Sequence, residues 1–269
     1  MVIVRRVLII CIAVIPWLLP GSIQARTGQF KVYLGFDDGP RIGRTDLILD
    51  VLKKYNVKAT FFVQGIYIAD GKDIVRREIQ EGHHIGSHLW THERQILQQN
   101  RPRMNLLLDY YQYTQVALES ALGDELWLEY NAREPIKPFR WPGGALYPFP
   151  RTDVITYNWQ VSAGDDTPVD ISASQEVENV LYGEPARHIY GVYAWGDEVV
   201  ILLHDTRFST VQALPAIIEH LKAHGAIFET LPRQGDVPGT MPIRIGQLPH
   251  CARQPDNCTT RNDQMRYNR

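Results

Sequence analysis

Asp37 and Asp38 stand side by side at the end of an alternating apolar run. Neighbouring residues of a strand point to opposite faces, so one carboxylate can bind a metal while the other stays free as a base. The competing reading is a polar turn with Gly39-Pro40. Further on, Ser87-His88-Leu89-Trp90-Thr91-His92 carries a His-x3-His pair. One helical turn would put both imidazoles on one face, a common spacing of zinc ligands. Leu89 occupies the place of a metalloprotease's catalytic Glu, which excludes that motif. Two histidines and one carboxylate complete a catalytic zinc set that leaves a position for water. Arg140, Asp165-Asp166 and His204-Asp205 are the other charged groups that follow apolar runs, although Asp165-Asp166 also reads as a solvated Gly-Asp-Asp turn. His220 and His224 repeat the His-x3-His spacing but sit near a helix C-terminus, where imidazoles favour the dipole and no motif supplies a third ligand. They are expected at the surface, as are His83, His84 and His188.

The elements that must position these residues follow from the apolar periodicity. Strands are expected at 30–36, 59–63, 84–87, 137–140, 154–161, 198–203 and 226–230. Helices are expected after Thr45 as N-cap, with Leu47, Ile48, Val51 and Leu52 as the apolar stripe, at 73–81, over most of 93–122 with a break near Pro102, at 173–189, and at 211–224 with Pro215 in the first turn. About seven strands with intervening helices predict a parallel sheet, open or closed into a barrel. In either case all C-terminal strand ends open on one face, where active sites are built. Asp37, His88, Arg140, Asp165 and His204 are each expected at or just past such an end, so residues far apart in sequence converge. This convergence points to an enzyme.

The chain's two ends read differently. Residues 1–25 carry Arg5 and Arg6 before an apolar run at 7–19 and a small-residue stretch, the pattern of a secretory signal peptide. The alternative is an uncleaved anchor, for which the run is short of the roughly 20 residues a spanning helix needs. Cleavage would leave a chain exported to the periplasm or medium, without stable membrane association. The whole chain has 28 basic against 30 acidic residues; losing Arg5 and Arg6 with no acid leaves 26 against 30, a balance with no footprint for nucleic acid. Cys251 and Cys258 either bridge each other or remain free thiols in an irregular tail, 233–269. The catalytic domain is expected at 26–232.

Phe36-Asp37-Asp38-Gly39-Pro40, Ser87 to His92, Arg140-Trp141-Pro142-Gly143-Gly144 and Leu203-His204-Asp205 together resemble, in order, the motifs of polysaccharide deacetylases. That family includes chitin and peptidoglycan deacetylases and some acetylxylan esterases. The resemblance implies a distorted (β/α) barrel of about seven parallel strands with the site at their C-terminal ends. It implies a metal, usually Zn2+ with Co2+ or Ni2+ as alternatives, on Asp38, His88 and His92. Asp37 would be the general base for the metal's water, Arg140 would tether and orient Asp37, and the Gly143 N–H would face the oxyanion. His204 would protonate the leaving group with Asp165 as its partner. Leu203 would form part of the wall against the acetyl methyl. The fourth motif departs from the family: Ser162 stands in place of an Asp and Asp166 in place of a Trp. Trp90, Trp141, Tyr147 and Trp195 either line a glycan groove by stacking on sugar C–H faces or pack in the core. Tyr110, Tyr111 and Tyr113 either border that groove or pack their helix. The expected activity is removal of N-acetyl groups from amino sugars of a polysaccharide, with O-acetyl ester cleavage and a non-catalytic carbohydrate-binding module as alternatives.

Overall fold

β1 (Phe30–Asp37) is the hub of an all-parallel sheet, and its alternation decides what the rest of the molecule does. The computed structural model describes residues 28–92, 103–144, 149–166, 171–184 and 189–232. The expected signal segment, Tyr147, His188, Cys251, Cys258 and the tail lie outside them. After β1 come α1 (Thr45–Lys54), β2 (Thr60–Val63), a short α2 (Gly65–Ile68), α3 (Lys72–Gln80) and β3 (His84–Ser87). Then follow α4 (Met104–Arg133), β4 (Lys137–Phe139), β5 (Val154–Thr156), β6 (Val161–Ser162) and α5 (Ala173–Leu181). A small antiparallel pair β7 (Gly183–Glu184) and β8 (Ile189–Tyr190) precedes β9 (Glu198–His204), α6 (Phe208–Ala223) and β10 (Ala226–Glu229). The sheet runs β5-β4-β3-β2-β1-β9-β6, with β10 pairing the first half of β1. Among the described residues, no helix is long and apolar enough to cross a membrane.

Val32, Leu34 and Phe36 of β1, Phe61 and Val63 of β2, and Val199, Ile201 and Leu203 of β9 all enter one core beneath the helices. The alternate residues face the other way: Tyr33, Phe62 and Val200 form a separate cluster with Tyr157 and Leu231. That second face is the concave interior of the curled sheet. Gly35, Asp37, Leu202 and His204 share it by the same alternation, and Gly35 pairs with Leu202 as Asp37 pairs with His204.

Several expectations are corrected. The single strand expected at 154–161 is two short strands at opposite edges of the sheet, β5 against β4 and β6 against β9. Between them Tyr157 N–H donates to Phe139 O and Gln160 N–H to Val200 O. Three peptide steps cover at most roughly 11 Å, so the two edges curl to within that span and the sheet approaches a closed barrel. The helix expected to end near 122 continues to Arg133 across a break at Gly123, whose φ of 71° interrupts the helical backbone. α5 stops at Leu181 rather than near 189, giving way to β7 and β8. α6 begins at Phe208, which places Pro215 inside it rather than in its first turn. Thr45 is the first helical residue of α1 and caps nothing by side chain; Arg44 is the N-cap. The Thr45 hydroxyl is committed elsewhere, accepting from Arg41 N–H at 2.7 Å and donating to Asp205 Oδ2 at 2.8 Å.

Candidate active site

The C-terminal ends of β1, β2, β3, β4 and β9 deliver the polar residues to one mouth. Asp37, last residue of β1, points into the concave interior and takes a 2.7 Å bond from Arg140 Nη1. Arg140 is wholly buried there. Its guanidinium lies 4.1 Å from the Phe62 ring centre and donates to the carbonyls of Tyr157 and Asn158, the residues that bridge the sheet edges. Gly35 makes the room: a Cβ there would stand 2.7 Å from Arg140 Nη1. Burial draws the guanidinium below its ordinary pKa and Asp37 opposes that; an arginine stays cationic throughout.

Asp38 sits past the strand end with φ 79°, in the left-handed region that turns its side chain away from Asp37. Asp38, His88 and His92 offer ligand atoms that all lie within 4.8 Å of one another, the one such group among the described residues. His88 Nδ1 is 2.8 Å from Arg140 O. A carbonyl only accepts, so Nδ1 carries a hydrogen, and Nε2 is the ring atom that faces Asp38 Oδ1, 3.6 Å away. Burial alone would raise the Asp38 carboxyl, but His88, His204 and His92 facing it, with a 2.6 Å bond from Gln64 Nε2, hold it below its ordinary value. Two imidazole nitrogens and one carboxylate, oriented from behind by a backbone carbonyl and an amide, suit a divalent transition metal. Leu89, between the two histidines, has φ 66°, so the pair is held by a turn and not by the helical turn the spacing suggested.

Across the mouth His204 Nε2 lies 4.0 Å from Asp38 Oδ2. Its Nδ1 meets Asp165 Oδ1 at 2.8 Å, and its backbone N–H donates to Asp165 Oδ2 at 2.6 Å. Thr210 adds a third bond to that carboxylate. Burial would lower the imidazole pKa, yet Asp165 by charge and hydrogen bond, with Asp37 and Asp38 beyond, pushes it up to about 10. The departure in the fourth motif leaves this pair intact. Ser162 Oγ accepts the Gly164 N–H at 3.1 Å and shapes the turn that presents Asp165, while Asp166 is exposed.

Gly143 has φ 67°, on a short turn after Arg140. Trp141, left open between groove and core, and Leu203, expected in the acetyl wall, are both structural. Trp141 is fully buried against Phe139 and Phe149, packed in a cluster with Leu89 and Tyr111, and presents no face to a glycan. Leu203 belongs to the helix-side core with Phe36; strand alternation gives His204's face to Leu202. Trp195 and Tyr111 are likewise core residues, whereas Trp90 and Tyr113 meet edge to face at the rim. His83 and His84 are buried rather than at the surface: His83 Nδ1 accepts from Ala59 N–H, and His84 Nε2 is 3.2 Å from Glu134. His220 and His224 are partly buried and stack on each other, with no third ligand grouped with them among the described residues.

Sequence reasoning missed Gln64, Thr45 and Thr210. Gln64 follows the end of β2, so the rule that singled out the other site residues would have found it. Asp205 is buried over the loop after β1, where a Cβ on Gly39 would fall 2.0 Å from its Oδ2 and 2.6 Å from its Cγ. Gly39→Ala is therefore expected to cost about 1–3 kcal/mol of overpacking strain, a drop of roughly 2–10 °C in unfolding midpoint, readable by calorimetry.

Known proteins resemble this chain in sequence and in fold. The family model for polysaccharide deacetylases matches residues 24–153. A peptidoglycan-N-acetylglucosamine deacetylase from Bacillus cereus is 32% identical over 77% of this chain and 71% of its own length. The peptidoglycan-N-acetylglucosamine deacetylase PgdA of Listeria monocytogenes is 31% identical over 79% of this chain; the chain spans only 41% of that longer protein. A family 4 acetyl xylan esterase from Clostridium thermocellum, solved in complex with a cobalt ion, superposes with a TM-score of 0.59 at 29% identity, covering 75% of this chain and 88% of that one. The parallel sheet curled toward a barrel matches the fold of that solved structure. The chain belongs to the polysaccharide deacetylase family.

Proposed function

We propose that this chain is an exported, metal-dependent hydrolase that removes N-acetyl groups from amino sugars of a polysaccharide. The observation that carries the reading is the opposition of two differently wired groups across one donor set. Asp37 is bonded to Arg140, His204 is bonded to Asp165, and Asp38, His88 and His92 lie between them. Asp38, His88 and His92 would hold the metal, Zn2+ or the chemically similar Co2+ or Ni2+, which lowers the pKa of water and polarises the acetyl carbonyl.

The chain's own residues then divide the proton work. Arg140 occupies one oxygen of Asp37 and fixes the plane of the carboxylate, leaving the other oxygen to take a proton from the attacking water. As the water oxygen bonds to the acetyl carbon, the carbonyl oxygen gains charge, and the Gly143 N–H would be the backbone donor to it. His204, protonated by virtue of Asp165, gives its Nε2 proton to the sugar nitrogen as the C–N bond breaks. Acetate and a free amine leave. Leu202, on His204's face, supplies the apolar floor for the methyl group.

Acetate release from N-acetylated chitooligosaccharides and from peptidoglycan, with zinc and with a chelator, tests the reading. Release that the chelator abolishes is expected. Glycan binding without acetate release under zinc, cobalt or nickel would overturn it in favour of a carbohydrate-binding module. An O-acetyl esterase is the second reading, favoured by the likeness to the acetyl xylan esterase. Gln64→Ala removes the amide that orients Asp38 and is expected to weaken zinc binding roughly 10-fold or more, as for other groups that orient metal ligands. A calorimetric zinc titration would measure the change. The arginines and apolar run at 1–25 support export, and amino-terminal sequencing of the protein recovered from periplasm or medium would locate the cleavage.

A further inference from the structure

The loop after β1 continues beyond Asp38 into Arg41-Ile42-Gly43-Arg44, on the same mouth as the donor set. It is a fixed turn: Arg44 and Thr45 N–H both donate to Arg41 O, and Thr45 anchors the turn to buried Asp205. The two arginines are displayed on it in the same way. Arg41 lies 5.9 Å from the ring centre of Tyr67, which follows β2, and Arg44 lies 4.9 Å from that of Phe208, which follows β9. Ile42 between them is 68% exposed and Phe208 is 48% exposed. Among the described residues, the partners of the two guanidiniums are ring faces and the Gly43 carbonyl, with no carboxylate. Stacking on a ring leaves the N–H edges of a guanidinium free to grip a carboxylate with two bonds. Exposed apolar and aromatic surface beside them suits the C–H face of a sugar.

We propose that Arg41 and Arg44, with Tyr67 and Phe208, form a subsite for a carboxylate-bearing sugar unit adjacent to the one being deacetylated. The inference deepens the deacetylase reading and rests on it. The carboxylate can come from a lactyl ether or from a uronic acid, and the chemistry recognised is the same: a planar anion on a pyranose ring.

Three N-acetylated substrates separate the alternatives: a neutral chitooligosaccharide, a peptide-free peptidoglycan oligosaccharide with free lactyl carboxylates, and the same oligosaccharide with those carboxylates amidated. An N-acetylated oligosaccharide carrying uronic acid serves as the second carboxylate source. The native protein is expected to show a KM roughly 10-fold lower for the free-carboxylate glycans than for the neutral or amidated ones, with similar kcat. High salt should erase the difference, because exposed ion pairs are screened. Arg41→Gln/Arg44→Gln should raise KM for the acidic glycans to the neutral value and leave chitooligosaccharide turnover unchanged. Arg41→Lys/Arg44→Lys should restore part of the preference through charge alone. Calorimetric binding of the same glycans reads the subsite independently of turnover. Equal affinity for acidic and amidated glycans, or an equal loss on the neutral substrate in the glutamine variant, would overturn the subsite while leaving the deacetylase reading standing. Acetate release from none of the substrates would sink the deacetylase reading, and the binding data would still decide the subsite.

Discussion

Asp37→Asn is expected to abolish acetate release, by a factor of about 10²–10⁴, while zinc binding stays close to that of the native protein and the unfolding midpoint falls, because buried Arg140 loses its counter-ion. The asparagine fills the same volume against Arg140, so the packing is preserved, but it cannot take the proton of the attacking water. The separation of roles matters because Asp37 and Asp38 are neighbours and chemically identical. Asp38 is turned aside by its positive φ toward His88, and Asp37 remains in the strand, bonded to Arg140. Asp38→Asn should therefore lose zinc first and activity as a consequence. The measurement is a paired one: acetate release and calorimetric zinc titration on both variants. If Asp37→Asn kept more than about a tenth of native turnover, with zinc bound, the assignment of the base would fail. Arg140→Gln breaks the same buried pair and also removes bulk and the hold on Asp37. It leaves Asp37 buried without its counter-ion and empties the space Gly35 provides, so a loss of stability is expected alongside the loss of activity.

The site was legible in the sequence to the extent that strand ends were. β1, β2 and β9 are largely apolar runs followed by polar residues, β3 and β4 are shorter and lead into His88 and Arg140, and parallel topology sends all these ends to one mouth. Asp37, Asp38, His88, Arg140 and His204 followed from that rule and from the family resemblance. Face assignment within a strand demands more, because both faces of a buried parallel strand are apolar and the sequence carries no alternation to read. Leu203 was placed in the acetyl pocket for this reason, although Leu202 shares the face of His204. The segment 154–162 shows a second limit. Its residues suit a single strand, yet the curvature of the sheet sends its two ends to opposite edges and uses the carbonyls between to hold Arg140. Such a role depends on closure, a long-range property that no local window contains. Trp141 stood open between groove and core by the same logic, and only the folding of its loop onto Phe139 and Phe149 decides for the core.

Asp165→Asn separates the acid from the rest of the machinery and carries a pH signature. In the native protein Asp165 holds the His204 imidazolium against the penalty of burial, placing its pKa at about 10, well above the ordinary 6.5. A group raised on folding contributes stability that is complete below pH 6.5 and is lost as pH climbs through about 10. The substitution removes that contribution and frees the imidazole to lose its proton at lower pH. A divalent cation on Asp38 repels the imidazolium as well, so in the loaded enzyme the alkaline limb falls below the value set by the side chains alone. Two consequences follow for rate. With an N-acetyl substrate, whose amine cannot leave without a proton, turnover at pH 8 should fall about 10²-fold or more and the alkaline limb should move toward acid. With an activated aryl acetate, whose leaving group needs no proton, the loss should stay within about 10-fold. The contrast is the discriminating result, because a variant that merely misfolds loses both activities together. Equal losses on amide and ester with an unmoved limb would remove His204 from the acid role and leave Asp165 as a structural anchor for the end of β9.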